Sequence, residues 1–489
     1  MSDHPLFLIV VFDGLRPDMV TPELAPNLCR FMAEGVNFEN ARAVFPTSTR
    51  TNAAALATGS TPRRNGIVQN KYFDPNIFHD RIFRPFKTQD IEAGMVAYNG
   101  KLLSAPSLSD IVASAGYTMA TFLSGSCGTA RLIDPCARER GHINLGFIDW
   151  EDSCPAAVAQ KLVETHGPIP APSRPNIEPI RAQTDMMINS IYSSSQPDIS
   201  VLWFSDPDQT HHYHGVGSAK TLSAIRHVDA EFGRLLKWRL SSGLEDRLQV
   251  IALSDHGHLT ARQRIDVNAE AAKAGFVIGD HFDGEADYAG YTSYSGSLKV
   301  RDRNPKRMAA MVDWLSKQSW CGMIFTPGGD GIEGCIPGTF DHASVLMDHP
   351  RTPEILYIMR NDDMVFGDGI VGSCFYNGRY PEGGGTHGGL HHKELHILMA
   401  AQGTLFKSSY GSHYPAGIID IAPTILHSLG LEQPKESDGR VLAEALVDSN
   451  SELPNAVSTI HTVERNGAVQ HLKYTRVGTT VYIDAGWLE

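Results

Sequence analysis

Leu6-Phe7-Leu8-Ile9-Val10-Val11-Phe12-Asp13-Gly14 is the stretch whose reading decides the fold. An unbroken apolar run that stops at Asp-Gly is short for a helix, and it predicts a strand buried on both faces, as in a parallel sheet covered by helices. Runs of the same kind recur at 117–123, at Ile199–Phe204 leading into Ser205-Asp206, and at Leu248–Leu253 leading into Ser254-Asp255. Helical periodicity fills the intervals at about 23–34, 107–115, 180–193 and 218–241. The alternation predicts an α/β protein with a doubly wound, mainly parallel sheet flanked by helices. Ligands of such sheets bind beyond the carboxyl ends of the strands, where Asp13, Asp208 and Asp255 fall.

Further along, 167–179 is Pro-rich and predicts a surface excursion, while 265–380 has Gly-Asp-Gly clusters and few periodic runs. The expected organisation is one core made of 1–264 and 381–489, with 265–380 inserted as a cap over the active site. The apolar pattern resumes at 395, a helix is expected over 420–429, and 472–483 alternates like a closing hairpin.

With 489 residues, 42% hydrophobic and 20% charged, the chain can bury one large core and carry insertions. The net charge of −13 disfavours broad binding to nucleic acid polymers or to an anionic membrane. Leu6–Phe12 is far shorter than a membrane span, and Met1-Ser2-Asp3-His4 lacks the basic segment of a secretory signal, so a cytoplasmic location is expected. Seven cysteines without CxxC spacing predict reduced thiols. Association with further copies of the chain is left open.

Four short segments carry candidate chemistry: Asp13-Gly14, Asp208-x-x-x-His212, Asp255-His256-Gly257 and Thr386-His387-Gly388. Together they offer three Asp and three His, enough for two metal ions with three protein ligands each and open positions for substrate and nucleophile. Asp208 and His212 are four residues apart, so one helical turn aims both at a single point. That spacing selects His212, and His211 and His214 are read as facing substrate or solvent. The loop Pro46-Thr47-Ser48-Thr49-Arg50-Thr51-Asn52 supplies hydroxyls for a nucleophile, with Thr47, Ser48 and Thr49 as rivals.

In order and spacing these segments resemble the alkaline-phosphatase superfamily and, within it, the type I phosphodiesterase / nucleotide pyrophosphatase branch. The residues that carry the resemblance are Asp13-Gly14; Phe45 to Asn52 followed by Thr58-Gly59; Asn65-Gly66-Ile67-Val68-Gln69-Asn70; Pro207-Asp208-x-x-x-His212; Ser254-Asp255-His256-Gly257; and Gly385-Thr386-His387-Gly388. The resemblance implies an alkaline-phosphatase-like fold and two metal ions. One is held by Asp208, His212 and His387, the other by Asp13, Asp255 and His256, with Thr49 touching the second as nucleophile. Zn2+ is the implied ion, and Mn2+ suits the same O/N donors. Asn70 and the backbone N–H of Arg50 would donate to a phosphoryl oxygen. The implied activity is hydrolysis of a small-molecule phosphodiester through phospho-threonine on Thr49.

Nucleotide-cleaving relatives carry an aromatic residue after the nucleophile, where this chain has Arg50, a side chain suited to a second anionic group. The alternatives are a phosphonoacetate-hydrolase-like C–P hydrolase and a phosphomonoesterase. For the former, the lysine expected within Ser124 to Arg131 is missing, and Arg50 or Arg131 could substitute. A non-catalytic metal-binding protein is disfavoured, because a structural zinc site needs neither a hydroxyl nor Asn70.

Overall fold

The computed structural model describes residues 4–366, 369–449 and 452–489. Its centre is an eight-stranded sheet in the order Tyr410–Ser412, Val36–Phe38, Met399–Gln402, Leu248–Leu253, Leu6–Phe12, Ile199–Phe204, Met119–Ser126, Ile143–Ile148. The last five run parallel, and Met399–Gln402 joins antiparallel to Leu248–Leu253. Strand Leu6–Phe12 lies between two parallel neighbours, which explains why its sequence never alternates with polar residues. Phe7, Ile9 and Val11 enter one core and Leu6, Leu8, Val10 and Phe12 the other. The first core receives the helix Thr49–Thr58, whose Ala53 to Ala57 are buried throughout; the second receives Pro26–Glu34 and Ala219–Ser241.

Register places the functional ends. Val11 pairs with Trp203 on one side and Leu253 on the other, so Asp13 and Asp255 emerge level with each other. The Asp13 N–H donates to the Phe204 carbonyl (3.0 Å), and the Asp208 N–H donates to the Asp13 carbonyl (2.9 Å). Three acids distant in sequence are therefore locked to one edge by backbone geometry.

The expected insertion forms a sheet of its own, Phe340–Asp341, Cys321–Thr326, Ile355–Met359, Ser295–Val300, Tyr288–Tyr291, Ile278–Gly279, with Met308, Met311, Val312 and Leu315 of the helix Pro305–Leu315 in its core. A third sheet, Asn361–Phe366, Ile370–Tyr376, Leu259–Arg264, Gly385–Thr386, crosses the expected boundaries at 264 and 380. The expected C-terminal hairpin is part of a three-stranded meander, Ala456–Arg465, Ala468–Val477 and Thr480–Leu488. Its first strand is largely exposed, so it lacks the apolar signal that marks the other two.

Replacing Ile9, fully buried between Val201 and Ile251, by Ala should destabilise the protein by about 2–5 kcal/mol. A denaturant midpoint shifted by less than the equivalent of about 1 kcal/mol would contradict the central position of this strand.

Candidate active site

Two groups of metal-competent donors sit side by side at the carboxyl ends of the strands. The first comprises Asp13, Asp255 and His256, and the second Asp208, His212, His258 and His387; within each group the donor atoms lie within 4.8 Å of one another. All six residues expected as ligands are thus brought together, and His258 joins them.

In the first group, Asp13 Oδ2 accepts from Trp203 Nε1 (3.0 Å), and Asp255 Oδ1 accepts from the backbone N–H of Gly14 and of His256 (both 3.0 Å). The other oxygens, Asp13 Oδ1 and Asp255 Oδ2, are buried without a hydrogen-bond partner, 3.6 and 3.2 Å from His256 Nε2. Burial, with repulsion from Asp255 and Asp208, holds the Asp13 carboxyl well above the usual carboxylate range; burial likewise raises Asp255. Two orphaned carboxylate oxygens and an imidazole nitrogen aimed at one point fit a divalent cation.

In the second group, Nε2 of His258, His212 and His387 lie 2.9, 3.3 and 3.4 Å from Asp208 Oδ1. Burial opposes ionisation of Asp208, but His212, His258 and His387 outweigh it and keep the carboxyl well below its ordinary range. Burial drives His212 down, and His387 and His258 well down, which favours the neutral imidazole a metal requires. Nδ1 of His212, His387 and His256 lies within hydrogen-bond distance of the carbonyls of Gly385 (2.7 Å), Thr47 (2.8 Å) and Gly257 (3.1 Å). Donation from each Nδ1–H fixes a tautomer whose Nε2 lone pair faces the carboxylates.

Asp208 and His212 share the helix Asp208–His214, as their spacing requires. His387 arrives by strand pairing: Thr386 is opposite Leu259, setting His387 beside the Asp255-to-His258 turn. His258 escaped the sequence reading, although its place two residues after His256 was a usable signal. A Cβ on Gly14, whose φ is +71°, would lie 2.7 Å from His258 Nε2 and 3.1 Å from Asp208 Cβ, so the glycine makes room for this imidazole. His211, read as facing substrate or solvent, is instead fully buried and packs on His258 with ring centroids 4.7 Å apart. Position 211 lies on the inward side of its helix.

The three rival hydroxyls are separated by their partners. Thr47 Oγ1 donates to the Gly389 carbonyl (2.9 Å), Ser48 Oγ pairs with Thr51 Oγ1 (2.8 Å), and Thr49 Oγ1 meets His256 Nε2 (3.3 Å). Thr49 opens the helix Thr49–Thr58, whose N-terminal dipole favours negative charge there. The Arg50 N–H, expected to donate to a substrate oxygen, is taken by Asn70 Oδ1 (3.0 Å), which orients Asn70 and leaves its amide NH2 as the donor. Arg131 turns away to the Asp152 carbonyl and Cys154 Sγ, each 3.5 Å. A cleft of about 230 Å3 opens between Asp13, Thr49, Arg50, Phe86, Ser126 and Asp208.

Glu394, also missed by the sequence reading, ties the site together. Fully buried, it accepts from the backbone N–H of Gly388 and Gly389 (both 2.9 Å) and from Tyr294 Oη (3.1 Å), and its Oε1 lies 3.3 Å from Thr47 Oγ1, sharing the hydroxyl proton with the Gly389 carbonyl. It therefore clamps the His387 loop to the loop that carries Thr47, Ser48 and Thr49.

Residues 7–318 match the family described as type I phosphodiesterase / nucleotide pyrophosphatase, and the chain belongs to that family. Among curated proteins it is similar to mouse ectonucleotide pyrophosphatase/phosphodiesterase family member 1, 23% identical over 258 residues (52% of this chain). That alignment spans 24% of the relative's length, so the chain matches about a quarter of the larger protein. It is also similar to the human bis(5'-adenosyl)-triphosphatase ENPP4, 22% identical over 457 residues, covering 89% of this chain and 80% of that one. Among solved structures, an inactive variant of murine ectonucleotide pyrophosphatase / phosphodiesterase 5 in complex with AMP superposes with a TM-score of 0.60 at 19% identity, covering 88% of this chain and 96% of that chain. The likeness establishes a shared fold.

Two outcomes are expected. Gly14→Ala should weaken divalent-metal affinity at least about tenfold while circular dichroism stays native; unchanged affinity would mean that the Gly14–His258 contact does not matter. Burial pushes the Glu394 carboxyl up to about 7 from an ordinary 4.5. Across that window the folded protein holds a proton that the unfolded chain has released, so stability should fall as pH rises from 4.5 to 7 and level off above. Glu394→Gln should flatten this slope in denaturant titrations, and an unaltered slope would assign it to other groups.

Proposed function

We propose that the protein is a two-metal hydrolase of small-molecule phosphodiesters acting through a phospho-threonine on Thr49. The observation that carries this reading is the Thr49 hydroxyl: it stands at a helix N-terminus, against His256 of the donor group that holds the two orphaned carboxylate oxygens. Asp13, Asp255 and His256 would hold one ion, and Asp208, His212 and His387 the other, with His258 beside Asp208. Zn2+ is the ion we favour for these O/N donors, and Mn2+ is compatible. When bound, such ions supply Lewis acidity toward phosphoryl and ester oxygens.

The chain's own groups account for the remaining requirements. Thr49 Oγ1 attacks phosphorus; the Oγ1–P bond forms as the bond to the leaving ester oxygen breaks, and the threonine proton ends on the departing alcohol or in solvent. Water then displaces the phosphoryl group from Thr49 and restores the hydroxyl. The Asn70 NH2, oriented by its bond from the Arg50 N–H, donates to a non-bridging oxygen as charge develops there. The Thr49–Thr58 helix dipole stabilises the anionic oxygen at its N-terminus. We place the second sheet and the 370–380 segment, whose Tyr380 ring stacks on His212 at 4.0 Å, as the cap over this cleft.

Seven unpaired thiols support a reducing compartment and thus our cytoplasmic placement. No helix among the described residues is long and apolar enough to cross a membrane.

Thr49→Ala should keep two equivalents of metal by elemental analysis yet lose bis(p-nitrophenyl) phosphate turnover by at least about a thousandfold. Retained turnover would remove the covalent route. Chelation of the wild-type enzyme should abolish activity, and re-addition of Zn2+ or Mn2+ should restore it. In a substrate panel the activated diester should lead its monoester and phosphonoacetate; phosphonoacetate leading would make the protein a C–P hydrolase.

A further inference from the structure

The imidazoles proposed as ligands are not packed alike. The rings of His256 and His387 stack on each other, with centroids 3.8 Å apart and planes 12° from parallel, so each braces its neighbour. His212 has no such imidazole partner among the described residues: His258 and His387 meet it at 5.1 Å, inclined by 75° and 38°. Its face is covered instead by Tyr380, whose ring lies 4.0 Å away and 11° from parallel. Arg379, Pro381 and Glu382 around it are exposed, so this surface run dips inward once, onto the imidazole.

The loop that carries Tyr380 is held at several points. Tyr376 Oη donates to the Tyr380 carbonyl (2.9 Å); the Gly383 N–H donates to the Ala261 carbonyl (2.7 Å), and the Ala261 N–H donates to the Gly384 carbonyl (2.8 Å). Tyr213, the residue after His212, packs on the Tyr380 ring at 5.2 Å and 80°. The backbone at Gly384 lies so close to the His212 carbonyl that no side chain would fit, and the Gly385 carbonyl lies 2.7 Å from His212 Nδ1. One segment, 376–385, thus meets His212 at the ring face, the ring nitrogen and the main chain. A hydrogen bond at Nδ1 alone leaves an imidazole free to rock about that bond; a flat ring against its face removes this freedom.

We infer that Tyr380 is a positioning residue for His212: its ring sets the plane of the imidazole and keeps Nε2 aimed at the ion that Asp208, His212 and His387 would hold. The inference rests on the two-metal phosphodiesterase reading above and adds to it a residue of the cap segment that acts on one ion site and not on the other. Among the described residues the Tyr380 ring meets no imidazole but that of His212, which ties it to the Asp208 group. A substrate-stacking role would leave metal binding unmoved, and a space-filling role would be met by any side chain of similar bulk.

The test uses Tyr380→Phe, which keeps the flat ring, and Tyr380→Leu, which keeps bulk without it, and titrates each metal-free protein with Zn2+ against a competing chelator. Wild type should take up two equivalents. Tyr380→Leu should weaken one of them at least about tenfold and leave the other as it is in wild type, and Tyr380→Phe should keep both wild-type affinities. In a His212→Ala background Tyr380→Leu should change neither affinity further, because the ring it acts on is gone. Tyr380→Met carries the same expectation if Tyr380→Leu does not fold. Equal weakening of both equivalents, no weakening, a loss in Tyr380→Phe as large as in Tyr380→Leu, or a full additional loss in the His212→Ala background would each overturn the assignment.

A second readout is spectroscopic. With Co2+ added stepwise to two equivalents, Tyr380→Leu should alter the visible absorption of one equivalent and not of the other, and Tyr380→Phe should reproduce the wild-type spectrum. Identical spectra for all three proteins would overturn the role of the ring. Neither measurement involves turnover. Wild-type protein that binds two ions with the expected dependence on Tyr380, yet cleaves no phosphorus ester, would overturn the phosphodiesterase reading alone. Diester cleavage by an enzyme whose metal affinities ignore Tyr380 would overturn the positioning role alone.

Discussion

Everything in this site depends on three carboxylates, Asp13, Asp208 and Asp255, being forced to the same edge of one sheet and buried there. Parallel register and two backbone hydrogen bonds hold them level, so they cannot separate to relieve their repulsion. The protein resolves this unevenly. Asp208 is balanced by three imidazoles and stays ionised, while Asp13 and Asp255 each retain an unpartnered buried oxygen and resist ionisation. A fold that buries charge without pairing it sacrifices stability unless something from outside completes the pair. The same imbalance makes the site a receptor for cations.

Closure of the site is the work of segments far apart in the chain. The pairing of Gly385–Thr386 with Leu259–Arg264 delivers His387, and Glu394 then fastens that loop to Thr47, two residues before Thr49. His387 Nδ1 reaches the Thr47 carbonyl from the same loop. The Thr47–Thr49 loop and the His387 loop are therefore parts of one hydrogen-bonded unit, and a shift of either moves both. Glycines at 14 and 385 leave room for His258, since a Cβ at either would approach its ring within 2.8 Å.

Around this acidic centre the charge reverses. Arg50 lines the cleft with its guanidinium carbon 5.3 Å from the centre of the Phe86 ring, which lines it too.

Local rules made part of this legible in sequence. The strands Leu6–Phe12, Ile199–Phe204 and Leu248–Leu253 could be read because an unbroken apolar run with a polar stop is a local signature of a buried parallel strand. Asp208 and His212 could be paired because four residues make one helical turn. By contrast, Ile143–Ile148 contains Asn144 and Gly146, and Met399–Gln402 is short and antiparallel, so neither had a distinctive pattern. The inward turn of His211, the slot for His258, the clamp of Glu394 and the capture of the Arg50 N–H by Asn70 were decided only by tertiary structure. Each depends on atoms from segments with no fixed relation along the chain, and only packing of the whole sets which polar group finds a partner and which is left facing the cleft.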